Sequence, residues 1–196
     1  MTAPKKFLQI VGSKPRENRY MRTRLATTLT VLLVATSPAS ACAAPVEAAP
    51  ATATVLRVVD GDTVHVVDDV RGRLRVRVLG LDTPETKRRG YAVACWGPEA
   101  TAFATATLQN QRVALIADAG QDARDRYGRT LAYIQTAGGD YSVLAAAAGA
   151  GRAYVFDPSH PPQRADEIAA AEASARKAGL GLWGPPCFGQ TEAVPL

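Results

Sequence analysis

Residues 71–81 read RGRLRVRVLGL. Arg71, Arg73, Arg75 and Arg77 alternate with Leu74, Val76 and Val78. Side chains along an extended chain point to opposite sides with period two. The pattern therefore predicts a β-strand with one buried face and one strongly cationic face. Upstream, ATVLRVV (53–59) and TVHVV (63–67) are β-branched runs on either side of the turn DGD, which predicts a hairpin. Downstream, RVALIAD (112–118) and RTLAYIQ (129–135) supply two further strands, and RAYVF (152–156) a short extended piece. A helix is predicted over 97–110, with Pro98 near its first turn and Glu99 placed to favour the helix dipole. A small Ala-rich helix follows at 142–150. The longest spans 161–179, with acids early, Arg176 and Lys177 late, and Gly179 as its stop. About five short strands with about three helices give an α+β fold built on a small closed β-barrel.

The chain has 196 residues, 47% of them hydrophobic, enough for one domain with a real core and some extra segments. Its net charge of +5 suggests an anionic partner but misleads. Seven of the 23 Lys and Arg residues lie in 1–41 beside a single acid, Glu17, and the remainder carries 16 bases and 17 acids. The case for a polyanionic partner must rest on where cations lie rather than on their total.

Residues 1–41 form a leader with an export signal: a basic start at Arg22 and Arg24, an apolar core over 25–39, and small residues through ASAC (39–42). The apolar stretch is too short to span a bilayer comfortably, so no stable membrane span is expected. The protein is expected to be secreted, cut after Ala41 or Ala43. The alternative is a cell-envelope lipoprotein held through Cys42, although Ala39 stands where the lipoprotein pattern has Leu. A flexible Ala/Pro linker is expected over 42–52, an ordered domain over 53–187 and a tail without order over 188–196. Cys95 and Cys187 remain as an even pair in an exported chain. A bridge between them is expected, with two free buried thiols as the alternative.

Two acidic motifs carry possible chemistry. In VVDGDTV (58–64), Gly61 allows a turn, and Asp60 and Asp62 fall on the same side of it; an ordinary Asp-Gly hairpin is the alternative. In LDTPET (81–86), Pro84 fixes the backbone between Asp82 and Glu85. Carboxylate and carbonyl oxygens suit a hard cation such as calcium or magnesium. Only His65 and His160 exist and they share no ligand spacing, which argues against a histidine-based centre. Arg77 and Arg129 present planar forks suited to phosphate, and Lys87, Arg88 and Arg89 add a cationic run beside the second acidic motif. A merely solvated surface is the alternative for each of these cations.

Taken in order, DGDTV, the stretch from Arg77 to the DTPE at 82–85, GPEA (97–100), DRYGRTLAY (125–133), AYV (153–155) and the closing LW (182–183) resemble the staphylococcal-type thermonuclease family. The resemblance covers about Ala53 to Trp183. It implies a five-stranded OB-fold barrel and a calcium-dependent nuclease that hydrolyses DNA and RNA, single-stranded or unwound, and leaves 3′-phosphate ends. It implies Ca2+ held by Asp62, Asp82 and the carbonyl of Thr83, with Asp60 just behind them. Glu85 would orient or deprotonate the attacking water. Arg77 and Arg129 would clamp the scissile phosphate. Arg126 and Tyr127 would hold a terminal or flanking phosphate, with Tyr154 near the base or sugar; Lys87, by the charge of its own run and not by the resemblance, is expected to attract backbone phosphates of the substrate. Arg126 stands where the family usually has Lys, and Phe156 where it often has Tyr. A monomer is expected. A non-catalytic OB module that binds nucleic acid or protein is the competing reading.

Overall fold

The computed structural model describes residues 49–196. The expected leader and Cys42 lie outside the described residues. So does most of the linker; residues 51 and 52 are tied down, Thr52 O accepting from Asp69 N and Ala51 O from the Arg112 guanidinium.

Among the described residues, eight strands and three α-helices follow in chain order: β1 (Ala53–Val58), β2 (Thr63–Asp68), β3 (Gly72–Val78), β4 (Leu81–Asp82), α1 (Gly97–Leu108), β5 (Arg112–Ile116), β6 (Thr130–Thr136), β7 (Gly139–Asp140), α2 (Tyr141–Ala147), β8 (Arg152–Ala153) and α3 (Ala165–Ala178), with a 3-10 turn at Gly181–Trp183. The main sheet runs β3-β2-β1-β5-β6-β7, and β3 also pairs with β6 in parallel. That pairing closes β1, β2, β3, β5 and β6 into a five-stranded barrel without a free edge between β3 and β6. The α+β barrel expected from the sequence is the one observed. Its inward side chains include Val55, Val64, Val66, Val76, Val78 and Ile134, all 2% exposed or less. Each such aliphatic side chain contributes about 1.5–3 kcal/mol by leaving water.

The helices cap the barrel with one face each. α1 buries Ala100, Ala104 and Leu108, a four-residue repeat that makes a narrow apolar stripe, and Phe103 packs 6.2 Å from the ring of Tyr141. Asp140 caps α2, its side chain accepting from Val143 N. α3 buries Ile168 and Ala175 and ends at Gly179 in the left-handed conformation. Pro161 and Pro162 precede this helix rather than opening it, because residues 163–164 form a turn.

The run 71–81 is not one strand. β3 stops at Val78, and Gly80 turns the chain with φ of +72° before β4. A Cβ at Gly80 would lie 2.4 Å from Ile168 Cδ1, so α3 packs where no side chain can stand. Arg71 is also not on the cationic face. It lies in the β2–β3 turn, paired with Asp68 at 2.8 Å.

Cys95 and Cys187 form a disulfide with Cα atoms 5.8 Å apart. Beyond it, the segment expected to lack order is hydrogen-bonded along the loop after β4. Ala92 N donates to Val194 O at 2.8 Å and Leu196 N to Gly90 O at 3.0 Å. The reason is local: the disulfide holds the start of the tail beside that loop, so little freedom is left to lose when the backbones pair. Among the described residues no helix is long and apolar enough to cross a membrane.

Candidate active site

The turn between β1 and β2 brings the first acids into place. Asp62 N donates to Asp60 Oδ1 at 3.2 Å, and Tyr141, buried under the turn, donates its hydroxyl to Gly61 O at 2.6 Å. Gly61 must be glycine, since a Cβ there would lie 2.7 Å from the Thr83 side chain. Thr83 thus packs directly onto the DGD turn. Its backbone N and its Oγ1 donate to Asp62 Oδ2 at 3.0 and 3.1 Å, and Thr63 Oγ1 donates to Asp62 Oδ1 at 3.0 Å. Asp62 is only 7% exposed and fixed from both sides.

Asp82 arrives from β4, which pairs with β8 so that Asp82 faces Arg152. Arg77, at the site end of β3, is held by Leu81 O at 2.6 Å and Val78 O at 3.1 Å. Its guanidinium lies 3.3 Å from Asp62 and 3.1 Å from Asp82. Arg129 enters from the loop before β6. Its Nε donates to Asp125 at 2.6 Å and its Nη1 to Thr63 Oγ1 at 3.4 Å. Glu85 is exposed, with Oε1 accepting from the amides of Thr86 at 2.9 Å and Lys87 at 2.7 Å. Oε2 has no hydrogen-bond partner among the described residues.

All of these line one cleft of about 650 Å³: Asp60, Asp62, Arg77, Asp82, Thr83, Glu85, Tyr127 and Arg129. The carboxylates crowd one another. Burial, and then the neighbouring Asp62, push the Asp60 carboxyl up to about 6. Burial and Asp62 also raise Asp82, against the pull of Arg77 and Arg152. Among the described residues, no three His, Cys, Asp or Glu side chains converge as a ready-made metal cage. The donor set is two fixed carboxylates with backbone oxygen beside them, which fits a hard divalent cation that completes its shell with water. The raised carboxyls fit it too, because a bound cation would favour the charged form that burial, and then the neighbouring Asp62, disfavour.

Three expected substrate contacts lie outside the cleft wall. Lys87 Nζ donates to Val59 O. Arg126 stacks 4.9 Å over the exposed ring of Tyr127, and Tyr154 is 43% exposed. Conversely, sequence reading missed Arg152, Thr63 and the tail residues Thr191, Glu192 and Ala193 as parts of the wall. Arg152 donates to Thr191 Oγ1 at 2.9 Å and lies 4.7 Å over the Trp183 ring, which Arg176 covers at 4.1 Å. The β4–β8 pairing that brings it there joins residues far apart in the chain and leaves no periodic signal.

Comparison with known proteins agrees with this geometry. Residues 75–185 match the model of the staphylococcal nuclease homologue family. The chain is 36% identical over 129 residues to a thermonuclease of Staphylococcus hyicus, covering 66% of this chain and 73% of that protein. It is 38% identical to a thermonuclease of Staphylococcus intermedius over 66% of this chain and 74% of that one. Endonuclease YncB of Bacillus subtilis is 33% identical over 66% of this chain and 60% of its own length.

Proposed function

The chain belongs to the staphylococcal nuclease homologue family, and from that premise we propose how it acts as a nuclease: with calcium, it hydrolyses phosphodiester bonds of DNA and RNA and leaves 3′-phosphate ends. One observation carries the proposal. Two fixed carboxylates, Asp62 and Asp82, and two arginine forks, Arg77 and Arg129, share a single cleft. A site for a cation and a phosphodiester together needs this pairing of opposite charges; a binding module that only grips phosphates needs no acids in its groove.

Asp62, Asp82 and the Thr83 carbonyl would hold the ion. Bound there, calcium would neutralise phosphate charge and help polarise the attacked bond. Glu85 would take a proton from the attacking water, its Oε2 being free while Oε1 is anchored on two amides. Arg77 and Arg129 would donate to the non-bridging phosphate oxygens, where charge grows during attack. The hydroxide so formed adds to phosphorus, the bond to the 5′ oxygen breaks, and that oxygen takes a proton from solvent, so the phosphate stays on the 3′ side. Arg126, Tyr127 and Tyr154 would steady the flanking nucleotides, which favours single-stranded or unwound substrates.

The proposal extends to location and assembly. The leader expected over 1–41 supports export, a monomer is the assembly proposed, and mass spectrometry of the mature amino terminus separates free secretion from a lipid-bearing Cys42. The deciding experiment incubates the folded protein with denatured DNA and calcium, repeats it with a chelator, and analyses the product ends. Calcium-dependent cleavage to 3′-phosphates is expected. No cleavage by a protein shown to be folded would leave the non-catalytic binding module.

A further inference from the structure

The outer side of the β1–β2–β3 sheet carries cations that the cleft does not use. Register sets Arg57 opposite His65 and His65 opposite Arg75. Arg73, Arg75 and Arg77 follow one another along the same side of β3 by strand alternation. Arg57 joins this face only through an irregularity. The β1–β2 register shifts between Val55 and Arg57, so Leu56 and Arg57 together oppose one residue. Val55 is fully buried, so unbroken alternation would have turned Arg57 inward.

Arg57, Arg73 and Arg75 are exposed. None of them takes part in any ion pair among the described residues, whereas nearby Arg71, Arg77 and Arg112 all do. Like charges facing each other across strands weaken a sheet. Here the repulsion is limited by His65, whose imidazole is held below its ordinary value by burial and then by Arg57 and Arg75. A sheet that keeps unpaired cations in a cross-strand row at a cost in stability calls for an anionic partner.

Resting on the nuclease reading, we infer that this face extends the nucleic-acid interface: a strand gripped at Arg77 continues over β3, with its phosphates along Arg75 and Arg73, and with Arg57, level with Arg75 across His65, at its side. From Arg77 to Arg73 is about 14 Å at about 3.4 Å per residue. That length leaves room for more than one nucleotide of an extended single strand beyond Arg77. The row begins at the arginine of the cleft, so one strand can occupy both.

The test replaces Arg57, Arg73 and Arg75 together by threonine, which suits an exposed strand. Binding of a long single-stranded oligonucleotide and of a dinucleotide is measured against salt in chelator, and cleavage of both is measured with calcium. The variant should bind the long strand about 10-fold more weakly at low salt, with a salt slope shallower by about 2, from about 0.7 per cation removed. Dinucleotide binding and cleavage should not change, and the melting temperature should not fall. An unchanged slope for the long strand overturns the inference. Equal weakening of both ligands overturns it as well, because the effect would then pass through the cleft. If the parent protein cleaves neither substrate but the slope still falls, the nuclease reading fails while the binding face stands.

Discussion

Arg77 Nη2 lies 3.1 Å from Asp82 Oδ1, and the same guanidinium reaches Asp62 at 3.3 Å. The fork proposed to bind phosphate is thus paired with the acids that would hold the cation. The two roles can be separated by substitution. Arg77→Lys should lower kcat/KM by about 10², because a point charge cannot replace a two-pronged donor. Arg77→Gln should cost at least as much in rate, yet calcium affinity measured by calorimetry should not weaken, since a cation beside the acids has been removed. Parent-like turnover in Arg77→Lys would rule out the fork.

Glu85 is exposed, and among the described residues its side chain hydrogen-bonds only to amides of its own loop. Glu85→Gln keeps an oxygen for those amides but cannot accept a proton. Turnover should fall by about 10² or more. Calcium binding and the melting temperature should stay near those of the parent. A variant that loses calcium binding instead would make Glu85 a ligand.

The raised carboxyl of Asp60 predicts an acid-side gain in stability. Its pKa in the folded protein is about 6 against 3.8 for an ordinary aspartate, so the folded state holds its proton more tightly than the unfolded chain. Without metal, the stabilisation is complete below about pH 4 and is lost as pH rises through about 6. Asp82 shifts in the same direction. Calcium should raise the melting temperature little at pH 5 and much more at pH 7, where protons no longer compete for the carboxylates. Thermal melts across pH with calcium or chelator check this. A calcium effect independent of pH would contradict the crowding of these acids.

The Cys95–Cys187 bridge closes a loop across 92 positions. Replacing both cysteines by serine should destabilise the domain by about 2–4 kcal/mol, measured by denaturant unfolding. Hydrogen exchange at Ala92 and Leu196 should rise in the same variant, because the tail loses its anchor beside the 90–92 backbone. Unchanged exchange there would mean that the tail docks without the bridge.

The alternation of Arg73, Leu74, Arg75, Val76 and Arg77 makes β3 legible in the sequence itself, because strand side chains alternate whatever surrounds them. The β-branched runs and the Asp60–Asp62 turn were legible for the same kind of local reason. So were the acids and arginines of the cleft, since their residue types and order are written along the chain. The break after Val78 was not legible. Nothing near Gly80 in sequence demands a left-handed turn; the demand comes from Ile168, which fills the space a side chain would need.

Local spacing thus determined which segments are strands and helices, and which side chains could bind a cation or a phosphate. Only the tertiary structure decided what meets what. Pairing of β3 with β6 closes the barrel, β4 with β8 sets Arg152 beside Asp82, and the bridged tail walls the cleft with Thr191 and Glu192. The physical reason is that periodicity is imposed on each residue by its immediate neighbours. Contact between distant segments is selected instead by burial and hydrogen bonding summed over the whole domain, which no single stretch of sequence encodes.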